Sequence, residues 1–206
     1  GLARELLDRG RSAEAIMEAR RAVRMYPVAD PAWIVIAEAS ERLGRPGDAA
    51  DAYLEVWKRS QKDVLLHEAA LVLAKAGQFE RAETFFARAV EEMPEDAAVR
   101  IDHGSCLERL GRRSEAERSY REALAIDGES AAAQHGLAFA LASRPGGDAA
   151  EAVELAGRAS RATGDADPSM LDTLATAHAA AGDFTSAVRV GEDALARARA
   201  AGDEAL

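Results

Sequence analysis

Apolar positions along the chain recur at three- and four-residue spacing, in stretches of about thirteen residues separated by short polar breaks. That spacing marks one face of a helix and argues against strands, whose side chains alternate from one face to the other. The clearest stretch places Leu66, Ala70 and Leu73 on one helix face. After the break Lys75-Ala76-Gly77-Gln78, a second face carries Phe79, Ala82, Phe86 and Ala89. Small residues at Ala70 and Ala82 let the two backbones approach, while Phe79 and Phe86 fill the space between them. Gly77 stands where the first helix must end in a left-handed conformation, which glycine adopts most readily. Pro94, with no N–H to donate, stops the second helix.

This arrangement repeats. Gly10, Gly44, Gly77, Gly111, Gly147 and Gly182 are separated by 34, 33, 34, 36 and 35 residues. A period so regular predicts a stacked array of helix pairs, each burying itself only against its neighbours. Asp30-Pro31 and Asp167-Pro168 each set a capping carboxylate before a proline, the preferred opening of a helix, where the period calls for a new unit. The units run over 1–29, with a truncated first helix, then 30–62, 63–96, 97–130, 131–167 and 168–206. The fifth has a longer turn, Ser143-Arg144-Pro145-Gly146-Gly147, and Ala156 where others carry an aromatic. In the sixth Gly191 takes that position, and in the first Ala19 does. The missing aromatics predict looser packing in the fifth and sixth units.

Trp33, Ala37, Gly44, Ala49 and Tyr53 in the second unit resemble the tetratricopeptide repeat. So do Gly77, Ala82, Phe86, Ala89 and Pro94 in the third, and Gly104, Leu107, Gly111, Ala116, Tyr120 and Ala123 in the fourth. The resemblance covers essentially the whole chain as one array. It implies an all-α, right-handed superhelical solenoid of antiparallel helix pairs with about 5.5 to 6 repeats. It also implies a non-catalytic protein-interaction scaffold, in which the first helix of each pair lines a concave groove.

On that geometry the partner-binding positions are Ile34, Glu38, His67, Glu68, Leu71, Ile101, Asp102, Ser105, His135, Phe139, Asp172 and Thr176. Ile34, Leu71, Ile101 and Phe139 form an expected ladder of exposed apolar anchors. Glu38, Glu68, Asp102 and Asp172 favour a protein or peptide ligand with basic residues. One subclass of the family holds acidic chaperone tails in a carboxylate clamp of basic and amide side chains. Here the corresponding sites are Ile34, Glu38, Glu68, Ala98 and Asp102, or His67, Leu71, Asp102, Ala132 and Gly136, which excludes such a clamp.

Composition narrows the rest. The 206 residues are 48% hydrophobic, ample for a core, and carry a net charge of −10, which opposes binding to nucleic-acid phosphates. Arginines cluster at Arg20, Arg21 and Arg24 and at Arg112, Arg113, Arg118 and Arg121. Glutamates interleave at helical spacing, so these are expected to be solvated, paired faces. No run of 18 apolar residues predicts a membrane span, and the amino end lacks the order of a signal peptide. The opening at Gly1 and the short first helix suggest a piece of a longer protein, so cytoplasm and periplasm both remain open. Three lysines against 23 arginines, in an alanine-rich chain, suggest a GC-rich bacterial source.

Chemistry is sparse. Cys106 has no disulfide partner, and His103 beside it lacks the further ligands that zinc needs. His178 falls where other units have Leu73, Leu107 or Leu141 and is expected to be a hydrogen-bonded packing residue. There is no GxSxG, phosphate-binding glycine loop or HExxH, and carboxylate pairs such as Glu91 and Glu92 lie on faces with no cause for a raised pKa. No cofactor, metal or enzymatic activity is expected. Two alternatives stand beside the scaffold. One is a self-association or spacer module, joined through an open amino-terminal end that leaves Ile16 and Val23 partly uncovered. The other is the regulatory tail of a membrane-associated bacterial enzyme, suggested by the segment Leu171 to His178.

Overall fold

The repeating glycines end helices as their spacing demands. In the computed structural model, which describes residues 1–164, 167–200 and 202, Gly10, Gly44, Gly77, Gly111 and Gly182 all take positive φ, from 66° to 80°. The residue after each glycine donates its N–H to the carbonyl five residues earlier: Arg11 to Leu6, Arg45 to Ser40, Gln78 to Leu73, Arg112 to Leu107 and Asp183 to His178, at 2.8–2.9 Å. This bond satisfies a carbonyl that the helix end would otherwise leave open, and it turns the chain sharply into the next helix.

The fifth turn departs from the expectation. The left-handed residue there is Gly146, with φ 76°, and not Gly147. Gly147 is small for another reason, since a Cβ at that position would lie 2.0 Å from the Leu141 carbonyl oxygen.

Among the described residues the chain forms twelve α-helices and no strand. They fall into two compact units, residues 1–94 and 95–206. In the first, α1 (Leu2–Asp8) pairs with α2 (Ser12–Met25), α3 (Asp30–Arg42) with α4 (Pro46–Ser60), and α5 (Val64–Lys75) with α6 (Phe79–Glu92). In the second, α7 (Ala97–Arg109) pairs with α8 (Arg113–Ile126), α9 (Ala131–Ala142) with α10 (Ala149–Ala162), and α11 (Pro168–Ala180) with α12 (Phe184–Ala200). The expected limits of the last two repeats, 131–167 and 168–206, include residues 165–166, 201 and 203–206, which lie outside the described residues.

Each core is built at the positions that the periodicity marks. Leu66, Ala70 and Leu73 of α5 and Ala82, Phe86 and Ala89 of α6 are all buried in the unit where these two helices pack. Burying a side chain the size of Phe86 stabilises by about 1.5–3 kcal/mol, and the facing alanines are what let it in. In the second unit one continuous cluster joins Leu107, Tyr120, Leu137, Leu141, Leu155 and Ala177. Ala156 is fully buried within it, so the fifth pair shares its core with both neighbours despite lacking an aromatic.

Helix starts show one success and one correction. Asp167 caps α11, accepting from Ser169 N at 2.9 Å. Asp30 does not cap α3; its carboxylate instead accepts from Arg59 at 3.1 Å, an arginine of α4 that outcompetes the backbone. Asp96, Ser130 and Asp148 cap α7, α9 and α10 through side-chain oxygens.

At the amino-terminal end Ile16 is buried, contrary to expectation, and Val23 is partly covered. The exposed apolar side chains there include Leu2, Met17, Met25, Tyr26 and Val28. Of the clustered arginines, Arg21 pairs with Glu18, Arg112 with Glu115, Arg118 with Glu122, and Arg121 with both Glu117 and Glu151.

Candidate functional site

The first helices of the second unit, α7, α9 and α11, pack side by side. Residues one turn apart on each therefore line a common surface. That surface is a cleft of about 760 Å³, to which α7 gives Ile101, Asp102, Ser105 and Glu108. From α9 come Ala132, His135, Gly136 and Phe139, and from α11 Ser169, Met170, Asp172 and Thr173; Arg109 of α7 and Arg113 of α8 line it too. Six of the positions expected from sequence are thus brought together: Ile101, Asp102, Ser105, His135, Phe139 and Asp172. Thr176 is not among the lining residues; one turn earlier, Thr173 is.

The amino-terminal unit treats its expected positions differently. Glu38 is held by the guanidinium of Arg4, so its charge is already matched within the protein. The His67 ring rests tilted on Phe86, with centroids 5.9 Å apart. Ile34 and Leu71 are half-buried and Glu68 is exposed. Two clefts in this unit, of about 640 and 700 Å³, are lined by other residues, among them Trp33, Ile36 and Glu55 in one and Leu2, Met25 and Val35 in the other.

The ladder of exposed anchors is also corrected. Only Phe139, 41% exposed, stands clear of the surface, while Ile34, Leu71 and Ile101 are partly buried. Ile101 lies against the central cluster. Groove positions on an α-helix flank its core stripe, and large aliphatic side chains there lean into the core rather than into water.

Beneath the cleft lies a tyrosine that its neighbours hold tightly. Tyr120 of α8 passes between Gly104 of α7 and Gly136 of α9; a Cβ on either glycine would come within 2.8 Å or 2.5 Å of the ring. Its hydroxyl donates to Glu108 Oε2 at 3.0 Å. Burial raises the Tyr120 pKa, so the phenol stays neutral. Burial also pushes the Glu108 carboxyl up to about 7, against the opposing effects of the Tyr120 hydrogen bond and the positive charge of Arg113. Glu108 Oε1 is buried and accepts no hydrogen bond within the described residues.

Sequence reasoning missed Glu108, having expected no carboxylate with cause for a raised pKa. A signal was present. Tyr120 follows Glu108 by twelve residues, and Tyr53 follows Glu41 by the same interval, with Tyr53 donating to Glu41 at 2.7 Å. Where the aromatic lacks a hydroxyl, as at Phe86, the residue twelve earlier is Ala74.

Two other cleft groups are tied down. The His135 Nε2 and Thr173 Oγ1 are hydrogen-bonded at 2.7 Å, joining α9 to α11. Burial holds the His135 imidazole below its ordinary pKa, which leaves it neutral near pH 7. His178 pairs with Asp183 at 3.3 Å, and Cys106 is buried. Among the described residues, no group of three or more His, Cys, Asp or Glu has the arrangement of a metal site, and no helix is long and apolar enough to cross a membrane.

Profiles of the tetratricopeptide repeat match residues 1–63, 73–138 and 169–201, most of the chain between them. Among solved structures, MamA of Desulfovibrio magneticus RS-1 superposes with a TM-score of 0.71 at 17% identity, over 83% of this chain and 96% of that one. PilF of Pseudomonas aeruginosa gives 0.69 at 16% identity, over 98% and 91%. YrrB, described as a TPR protein with an unusual peptide-binding site, gives 0.68 at 14% identity, over 87% and 91%. Comparison with curated proteins finds no significant match. At these identities the structural likenesses speak to the fold, an all-α helical solenoid, and together with the matching profiles they place this chain in the tetratricopeptide-repeat family.

Proposed function

We propose that the chain is a non-catalytic protein-interaction scaffold whose cleft across α7, α9 and α11 receives an extended or helical segment of a partner. The observation that carries this reading is the convergence of Ile101, Asp102, Ser105, His135, Phe139 and Asp172 on one cleft. Phe139 offers an exposed apolar anchor, Ile101 and Met170 an apolar wall, and Asp102 and Asp172 negative charge that suits a basic segment. The peptide-binding site of YrrB, a protein of the same fold, is consistent with this assignment.

The test is selection of a displayed random-peptide library on the 206-residue chain, followed by titration of the selected peptides. Phe139→Arg and Ile101→Arg, each confirmed as folded by circular dichroism, should weaken binding at least tenfold. Unchanged affinity in both variants would refute the cleft as the binding site.

Self-association is a second reading, supported by the exposed Leu2, Met25 and Val28 near an apolar cleft of about 700 Å³ in the amino-terminal unit. Sedimentation across a hundredfold range of concentration should then show a dimer that Met25→Glu dissociates; a monomer throughout would exclude it.

A further inference from the structure

Glu108 is a cleft carboxyl that the described residues leave half-satisfied. Oε2 is held by the Tyr120 hydroxyl at 3.0 Å, whereas Oε1 is buried with no hydrogen bond from the described residues. An ionised carboxylate in that state is unfavourable unless a cation or donor meets it. The scaffold itself does not require it. In the third helix pair Phe86 and Ala74 fill the same two places with no polar atom, and in the second pair Glu41, which accepts from Tyr53, is exposed.

The charged surroundings favour a cation. The cleft that Glu108 lines also carries Asp102 and Arg109 on α7, Arg113 and Tyr120 on α8, His135 on α9 and Asp172 on α11, with the Arg113 guanidinium acting on the Glu108 carboxyl. With His135 neutral, the cleft lining holds three carboxyls and two guanidiniums, an excess of negative charge once Glu108 ionises. The cleft walls include Ile101, Phe139 and Met170 beside Glu108 in the same lining. Apolar walls ending in a carboxylate match a long aliphatic stem ending in a cation.

We propose that Glu108 forms a selective site for one lysine or arginine side chain of the bound segment, whose stem lies against Ile101 and Phe139 and whose cation pairs with the Glu108 carboxylate. This rests on the reading of the cleft as a peptide site. Glu108 lines the cleft, and Tyr120, clamped by Gly104 and Gly136, holds its carboxyl through Oε2 and leaves the other oxygen for the cation. Binding is coupled to a proton, because the cation favours the ionised form of a carboxyl that burial has raised to about 7. Lowering the pH from 8 to 6 takes such a carboxyl from mostly ionised to mostly protonated, so affinity should fall about tenfold.

The experiment uses peptides selected from a random library on the whole chain at pH 8, each titrated beside a partner peptide with its basic residue changed to glutamine. On the wild-type protein the change should weaken binding about tenfold or more at pH 8 and much less at pH 6. Glu108→Gln should bind both peptides alike, with no dependence on pH. Persistence of the lysine preference in Glu108→Gln, or selected peptides without a basic residue, would overturn the inference while leaving the cleft intact if Phe139→Arg still abolishes binding. Failure to select any peptide, or binding indifferent to Phe139→Arg, would remove the cleft reading and this inference with it. If Glu108→Gln does not fold, the wild-type comparison at the two pH values decides: equal discrimination at both refutes the role of Glu108.

Discussion

Replacing Gly136 with alanine should destabilise the second unit, although alanine is the better helix former. Gly136 lies inside α9, where glycine to alanine ordinarily gains about 0.5–1 kcal/mol. Here the new Cβ would stand 2.5 Å from two carbons of the Tyr120 ring, closer than any relaxed contact allows. The ring is confined, since Gly104 of α7 approaches the same ring carbons and Glu108 holds its hydroxyl. Overpacking of this kind costs about 1–3 kcal/mol, and the confined ring argues for the upper part of that range. The net loss is about 2 kcal/mol once the helical gain is subtracted. Gly191→Ala in α12 serves as control, because its Cβ would meet only the Ala175 methyl at 3.8 Å; that variant should gain about 0.5–1 kcal/mol. Urea unfolding followed by circular dichroism would compare them. Trp33 and Trp57 both lie in the first unit, so their fluorescence gives an internal reference for the half that is not mutated. On a Tyr120→Ala background Gly136→Ala should turn from destabilising to neutral or stabilising, a coupling of about 2–3 kcal/mol. Equal responses at Gly136 and Gly191, or absence of coupling to Tyr120, would refute the clamp.

Other outcomes follow from the same geometry. Glu108 binds its proton more tightly folded, near 7, than its ordinary carboxyl value of 4.5, so stability is full below the latter and is lost as pH rises through the former. Glu108→Gln should therefore flatten the loss between pH 5 and 8 and, allowing for partial solvent screening, be more stable than wild type at pH 8 by about 1–2 kcal/mol. Wild-type stability that rises over this interval would contradict it. Asp167→Ala should cost about 1 kcal/mol through the lost cap, and Asp30→Ala less, since it breaks only a partly exposed pair with Arg59; chemical denaturation reads the difference. In the fifth turn Gly147→Ala should be far more damaging than Gly146→Ala, which costs about 1–2 kcal/mol for left-handed backbone but meets no atom within 4 Å. The reverse order of melting temperatures would restore Gly147 as the helix-ending residue.

Residues whose role is set by their own helix were legible in the sequence; those set by a competing neighbour were not. Gly77 and Gly111 end helices because the backbone there needs positive φ, a demand visible from period alone. Gly146 and Gly147 sit side by side, and two inserted residues remove the register that would tell them apart. Asp30-Pro31 and Asp167-Pro168 read identically, yet Arg59 on the next helix draws Asp30 away from the backbone. Six cleft residues were found because they share one face of each first helix. Glu38 failed as a free charge because Arg4 lies across from it, a contact that spans 34 residues. Glu108 required comparing the repeats with each other: its partner is twelve residues away, on another helix, and only the joint change to Phe86 and Ala74 reveals the pair.

The tyrosine between two glycines also acts as a shim. Gly104 and Gly136 belong to successive helix pairs, so the thickness of one aromatic ring sets how closely those pairs can close at that joint. At the equivalent places the chain carries Ala19, Tyr53, Phe86, Ala156 and Gly191. A repeat array can thus be bent locally by changing one side chain, without altering the turns that hold its register, and the surface above can acquire a new contour from a single buried substitution.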